Sequence, residues 1–165
     1  MKLNEFIKII DRLQRKDKSA LLLIYEEYFE KIYALAFSEV RNRQDAYDIA
    51  MVVIMKLCDY RGAPNEITNH IGLMIRMTRN TVKDYFRKKG FYSNCDYEIA
   101  VSQTNDNFWL DDILNELTEE ERDIFFLHVV WGRKLKDIAT EKGKPYISIR
   151  RTYNLIKEKI RKVYQ

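Results

Sequence analysis

Apolar residues recur every three to four positions along almost the whole chain, which is the period of a helix with one buried face rather than the alternation of a strand. Leu3, Phe6, Ile7, Ile10 and Leu13 form a first short stripe. From Ser19 a longer one runs through Leu21, Tyr25, Tyr28, Ile32, Leu35 and Ala36, widened by Leu22, Phe29 and Tyr33. Asn42-Arg43-Gln44 interrupts the pattern, and Asp45 is the expected N-cap of a third helix from Ala46 to about Tyr60. Gly62-Ala63-Pro64-Asn65 reads as a loop. Thr68 is the expected cap of a fourth helix that runs to Lys89 and stops at Gly90.

The periodicity is lost over 91–107, where Ser93-Asn94, Ser102-Gln103 and Thr104-Asn105-Asp106-Asn107 cluster; this reads as a linker. It resumes at Leu110, Ile113, Leu114 and Leu117. Thr118-Glu119-Glu120-Glu121 has the spacing of a capping box, with Glu121 placed to bond back to the backbone of Thr118. The helix it opens should run to about Trp131 and end at Gly132. A short helix from Lys134 to Lys142, a tight turn at Gly143-Lys144-Pro145 and a last helix from about Tyr146 to Val163 complete the pattern. The predicted fold is all-α, with two small helical domains at 1–90 and 108–165 joined by the 91–107 linker.

Charge sharpens that division. The net charge of +4 over 165 residues conceals segregation. Residues 1–90 carry 17 Lys and Arg against 12 acids, 91–117 carry no Lys or Arg and 6 acids, and 118–165 carry 12 Lys and Arg against 7 acids. Two basic blocks around an acidic segment suggest two modules that face a polyanion. No apolar run approaches the roughly 20 residues that span a bilayer. The N-terminal residues lack the apolar block of a signal peptide, so the expected compartment is the cytoplasm. Cys58 and Cys95 are too few for a disulfide framework.

Two helices concentrate the cations. On the fourth, at about 100° per residue, Ile71, Met74, Ile75, Thr78, Val82, Tyr85 and Phe86 share one arc. Arg76, Arg79, Lys83 and Arg87 fill the arc beside it, and Lys88 and Lys89 follow. A solvated face is the ordinary meaning of such a run, but solvated faces mix signs and only Asp84 does so here. The C-terminal pair is more specific, because a short helix, a glycine turn and a longer basic helix is the helix-turn-helix plan. On the last helix Ile149, Tyr153, Ile156 and Ile160 share one face, and Arg150, Arg151, Asn154, Lys157 and Arg161 lie opposite. Arg can bond a guanine edge bidentately in the major groove and Asn an adenine edge. A terminal amphipathic helix in a plain bundle is the blander alternative.

Several segments resemble extracytoplasmic-function sigma factors of bacterial RNA polymerase, in order and spacing. Asp45-Ala46-Tyr47-Asp48-Ile49-Ala50-Met51 is similar to the Asp-Ala-Glu-Asp-hydrophobic-x-Gln segment with which the family binds the clamp helices of the polymerase β′ subunit. Tyr60-Arg61-Gly62 resembles the aromatic-Arg-Gly that opens the promoter-melting loop. The stretch from Arg79 to Lys89 resembles the helix end that meets the minus-ten element. Leu117-Thr118-Glu119-Glu120-Glu121-Arg122 is similar to the family's Leu-Pro-x-x-x-Arg, and Gly132 to Ala139 to its Gly-x-Ser-Tyr-x-Glu-Ile-Ala. Ser148-Ile149-Arg150-Arg151-Thr152 resembles the recognition helix for the minus-thirty-five element. The chain departs from the family at Tyr47 and Met51, where Glu and Gln are usual, at Leu73, where Trp is usual, and at Lys144-Pro145 in the turn.

The resemblance implies a sigma factor that binds core RNA polymerase and directs promoter recognition and transcription initiation. The resemblance implies polymerase contacts at Asp45, Asp48 and Met51, and Val52 and Met55 are expected to join them. Met51, Val52 and Met55 also make the third helix apolar on more sides than a small core needs, which fits either a partner surface or extra core. It implies DNA contacts in the first domain at Tyr60, Arg61, Arg76, Arg79, Asn80, Lys83 and Arg87. Tyr60, Arg61 and Asn80 are the candidates for a pocket that holds a base flipped from the non-template strand. In the second domain it implies contacts at Tyr146, Ser148, Arg150, Arg151, Asn154 and Lys157. An anti-sigma partner is usual for the family.

Other chemistry has little support. His70 and His128 fall in different modules, the cysteines lack metal-ligand spacing, and no glycine-rich phosphate loop occurs. Glu119, Glu120 and Glu121 are explained by capping and the helix dipole. Trp109 and Trp131 read as core or interface aromatics. No catalytic residue, cofactor or metal is therefore expected. The competing readings are a stand-alone helix-turn-helix regulator that never joins polymerase and a helical adaptor whose basic faces are merely solvated.

Overall fold

The structure is a computed structural model that describes residues 1–89 and 108–163. The expected linker, the stop at Gly90, Cys95 and the side chain of Trp109 lie outside the described residues. Every regular element among those residues is a helix, and the chain divides into two compact units, Met1–Ser102 and Gln103–Gln165. None of the described helices is long and apolar enough to cross a membrane.

The N-terminal unit contains α1 (Leu3–Gln14), α2 (Lys18–Val40), α3 (Arg43–Cys58), a 3-10 turn (Pro64–Glu66) and α4 (His70–Lys88). Asp17 caps α2 by accepting from the Ser19 N–H at 2.9 Å. The Ser19 hydroxyl and the Arg12 guanidinium also donate to this carboxylate, and these bonds lower its pKa from 3.8 to about 2. Arg41, in the left-handed conformation, closes α2, and Asn42 at once caps α3 by accepting from the Asp45 N–H at 3.0 Å. Asn69 caps α4 through the Gly72 N–H at 2.8 Å. A Cβ at Gly72 would lie 2.8 Å from the Asn69 amide nitrogen, so a larger residue there would shift the capping side chain. Two expected caps are thereby corrected by a few residues. Asp45 and Thr68 have suitable side chains, but Asn42 and Asn69 are the residues whose oxygens reach a free helical N–H.

Helix α2 packs against α1, α3 and α4. Phe6, Ile10, Ile24, Tyr28, Ile32, Ile54, Leu57 and Met74 are fully buried, each such side chain worth about 1.5–3 kcal/mol of burial. Thr78 and Thr81 enter this core by donating back to the carbonyls of Met74 and Met77 at 2.9 and 2.8 Å. The predicted α2 stripe holds from Tyr28 onward. In the first turns Ala20 and Ile24 are buried, while Leu21 and Leu22 are exposed. His70 packs half-buried beside Phe6 and Tyr28, and burial, followed by the N-terminal ammonium, lowers its pKa.

The C-terminal unit contains α5 (Phe108–Glu116), α6 (Glu119–Phe125), a π-helical turn (Phe126–Val130), α7 (Leu135–Glu141) and α8 (Tyr146–Val163). The capping box forms as predicted: Glu121 accepts from the Thr118 N–H at 2.8 Å and Thr118 Oγ1 accepts from the Glu121 N–H at 3.4 Å. Arg122 Nε donates to the Leu114 carbonyl at 2.7 Å and locks the α5–α6 corner. The last turn before Gly132 is π-helical rather than α-helical, and it buries Phe126 and Leu127 beside Phe125. Gly132 and Gly143 both take positive φ, 67° and 62°, where a side chain would be strained. His128 Nδ1–H donates to the Arg133 carbonyl at 2.7 Å and its ring meets Tyr153 edge-on, so it is a packing residue. Trp131 is buried, as expected for a core aromatic.

Candidate nucleic-acid interface

Among the described residues, helix α8 is held from one side. Ile149 and Ile156 are fully buried, Tyr153 and Ile160 half-buried, and the helix packs on α5, α6 and α7. Lys159 anchors it by donating to Glu121 at 2.7 Å and to the Glu116 carbonyl at 3.2 Å. Burial by itself would raise the pKa of Glu121; the bonds from Lys159 and Thr118 outweigh that and hold it below the ordinary glutamate value.

The opposite face carries Arg150, Arg151, Asn154 and Lys157, all exposed. Four cations of this unit are held by carboxylates. Arg133 pairs with Glu141, Lys142 with Asp123 at 3.0 Å, Lys144 with Glu120 at 2.5 Å and Lys159 with Glu121. Among the described residues, Arg150, Arg151 and Lys157 hold no carboxylate; Lys157 lies 5.2 Å over the Tyr153 ring. The charges that hold the fold are neutralised and those on the outer face are not. Tyr146 and Ser148 are exposed in the first turn of α8, and so is Ile147, a residue the spacing argument passed over.

Residues 107–160 match the family model for sigma-70, region 4. The C-terminal unit is a sigma-70 region 4 domain. It is the helix-turn-helix domain typical of extracytoplasmic-function sigma factors, with α7, the Gly143 turn and α8 forming the motif, and the family supports a DNA-binding role in general. No curated protein matches the chain. The region 4 match begins at residue 107, so the N-terminal unit rests on its own geometry.

In that unit the basic face of α4 is partly neutralised, by its own Asp84 and by acids of α2 and α3. Arg79 faces Glu39 at 3.6 Å, Asp84 pairs with Arg87 at 3.0 Å and with Lys56 at 3.6 Å, and Lys89 reaches Asp45 at 3.2 Å. Among the described residues Arg76, Lys83 and Lys88 hold no carboxylate, and Asn80 is exposed beside them. The predicted basic arc is therefore real but mixed in sign once the neighbouring helices are in place. A cleft of about 300 Å³ opens where the loop after α3 meets the first turns of α4, lined by Tyr60, Glu66, Ile67, Thr68, Leu73 and Arg76 among others. Tyr60 stands over Gly62, where a Cβ would overlap its ring. Gln14 Nε2 pins the loop by donating to the carbonyls of Tyr60 and Gly62 at 3.1 and 2.9 Å. Of the three residues expected to form one pocket, Tyr60 lines the cleft; Arg61 and Asn80 are exposed and outside its lining.

The predicted polymerase-facing residues separate into two kinds. Asp45 is half-buried, accepting from the Tyr85 hydroxyl at 2.5 Å and from Lys89, and so ties α3 to the end of α4. Burial and then this hydrogen bond raise the pKa of Tyr85. Asp48 is exposed and accepts from Gln44 at 3.0 Å. Val52 and Met55 are 41% and 62% exposed, and Met51 is half-buried. Met51 and Met55 line a groove of about 520 Å³ with Leu21, Leu22 and Tyr25 of α2. Tyr47 is exposed one turn before Met51, its ring edge-on to Phe29 at 5.3 Å. Leu21 and Leu22, assigned to the core by period alone, belong to this groove.

Proposed function

We propose that the chain is a sigma factor that binds core RNA polymerase and directs promoter recognition and transcription initiation. The observation that carries the polymerase half is the apolar surface of α3. Val52 and Met55 stand in water beside a groove lined by Leu21, Leu22, Tyr25 and Met51, and contiguous exposed apolar side chains of this kind mark a partner site. The occupant by family resemblance is the pair of clamp helices of the β′ subunit. Methionine suits it, being able to repack against a partner. Asp48, Met51, Val52 and Met55 make the contact, while Asp45 positions α3 rather than meeting the partner.

The DNA half divides between the units. In the first, Tyr60 and Arg76 at the cleft and Arg61, Arg79, Asn80, Lys83 and Arg87 around it meet the minus-ten element. The cleft gives an unstacked base an aromatic ring and a cation, which offset an unstacking cost of a few kcal/mol. In the second, Tyr146, Ser148, Arg150, Arg151, Asn154 and Lys157 meet the minus-thirty-five element in the major groove.

Size-exclusion chromatography with cognate core polymerase tests the proposal. The wild-type chain co-elutes with the core, and Asp48→Arg or Met55→Arg abolishes co-elution while circular dichroism stays helical. Tight sequence-specific duplex binding by the free chain, without co-elution, would replace this reading with the stand-alone regulator.

A further inference from the structure

We infer that Ile147 reads a thymine by packing on its 5-methyl group, an assignment that rests on the proposed entry of α8 into the major groove. Ile147 is 79% exposed, the highest value among the exposed large hydrophobic residues of the described chain. It is the second residue of α8 and stands two positions before the fully buried Ile149, so it points about 200° away from the core. Arg150 and Arg151 lie one turn on and Asn154 two turns on, on the same outward stripe. Neither fold nor helix propensity accounts for it, since it packs on no core and isoleucine is a poorer helix former than lysine or glutamate.

Of the four bases, only thymine offers a methyl group to the major groove, beside an acceptor oxygen. A branched aliphatic side chain has no hydrogen bond to give, so the methyl is the feature it can select. The free cations around it bring the backbone close and supply polar readout of neighbouring bases, and Ile147 adds discrimination that charge alone does not provide.

The test is a double-mutant cycle in which one partner is a DNA methyl group. The full chain, with core polymerase where the free chain selects nothing, is used to enrich duplexes from a random pool. Each thymine of the enriched site is then replaced singly by uracil, which lacks only the methyl. At one position the wild type should lose about fourfold in affinity, equivalent to about 0.8 kcal/mol. Ile147→Ala should lose the same on the thymine duplex and nothing further on the uracil duplex. Being exposed, the position tolerates alanine without loss of fold. Sequence-specific binding in which no thymine-to-uracil change is felt more by the wild type than by Ile147→Ala overturns the assignment and leaves the DNA reading standing. Enrichment of no sequence under either condition overturns both.

Discussion

The sorting of cations in the C-terminal unit makes a quantitative prediction about salt. Among the described residues Arg150, Arg151 and Lys157 project from α8 without carboxylate partners, whereas Lys144 and Lys142 hold Glu120 and Asp123. These α8 cations occupy the first three turns of its exposed face. Each phosphate neutralised contributes about −0.9 to the slope of log K against log salt. These three cations together contribute up to about −2.7, a loss of about 40-fold between 50 and 200 mM salt. Lys157→Ala should therefore reduce the slope by about 0.9. Lys144→Ala should leave it unchanged, because that charge is already spent on Glu120. The assay is fluorescence anisotropy of a labelled non-specific duplex titrated with the full chain at several salt concentrations. Only differences between variants are read, since Arg76, Lys83 and Lys88 of the first unit add their own share. Equal changes in slope for the two variants, or none for Lys157→Ala, would refute the division into structural and anion-facing cations.

Two further outcomes follow from the capping groups. Glu121→Ala removes a cap, worth about 1 kcal/mol, and a partly exposed ion pair to Lys159 that is discounted for solvent; a total of about 2 kcal/mol should lower the melting temperature of the C-terminal unit by about 10 °C, and a calorimetric shift under about 3 °C would contradict the network. Asp17, with its pKa lowered to about 2, gives stability that is complete above pH 3.8 and is lost as pH falls through about 2; Asp17→Asn keeps a capping oxygen but no charge, so the stability gap between wild type and variant should close across that window, and a gap constant from pH 5 to pH 2 would show that the charge is irrelevant.

Much of the architecture was legible because the helices here are long, periodic and punctuated. Thr118 to Glu121 formed the box its spacing demands, Gly132 and Gly143 took the positive φ that ends their segments, and α8 spans Tyr146–Val163 as read. Period failed where two apolar faces compete. Leu21, Leu22 and Tyr25 fit a stripe as well as Ala20 and Ile24 do, and only the position of α3 decides which face is covered. Caps slipped because aspartate, threonine and asparagine are near-equal candidates, and φ, ψ settles which oxygen reaches an N–H. The basic face of α4 lost part of its free charge to Glu39 and Asp45, pairings from distant segments that no local pattern carries. Ile147 escaped notice for the opposite reason: an exposed isoleucine is informative only once nothing is found packed against it.

The most direct test of the account is transcription in vitro from DNA of the same bacterium by cognate core polymerase, with and without the chain, mapping the 5′ ends of the transcripts. The account predicts discrete start sites that require the chain and that are lost with Arg150→Ala and Arg151→Ala combined. Start sites that are the same with and without the chain would contradict it.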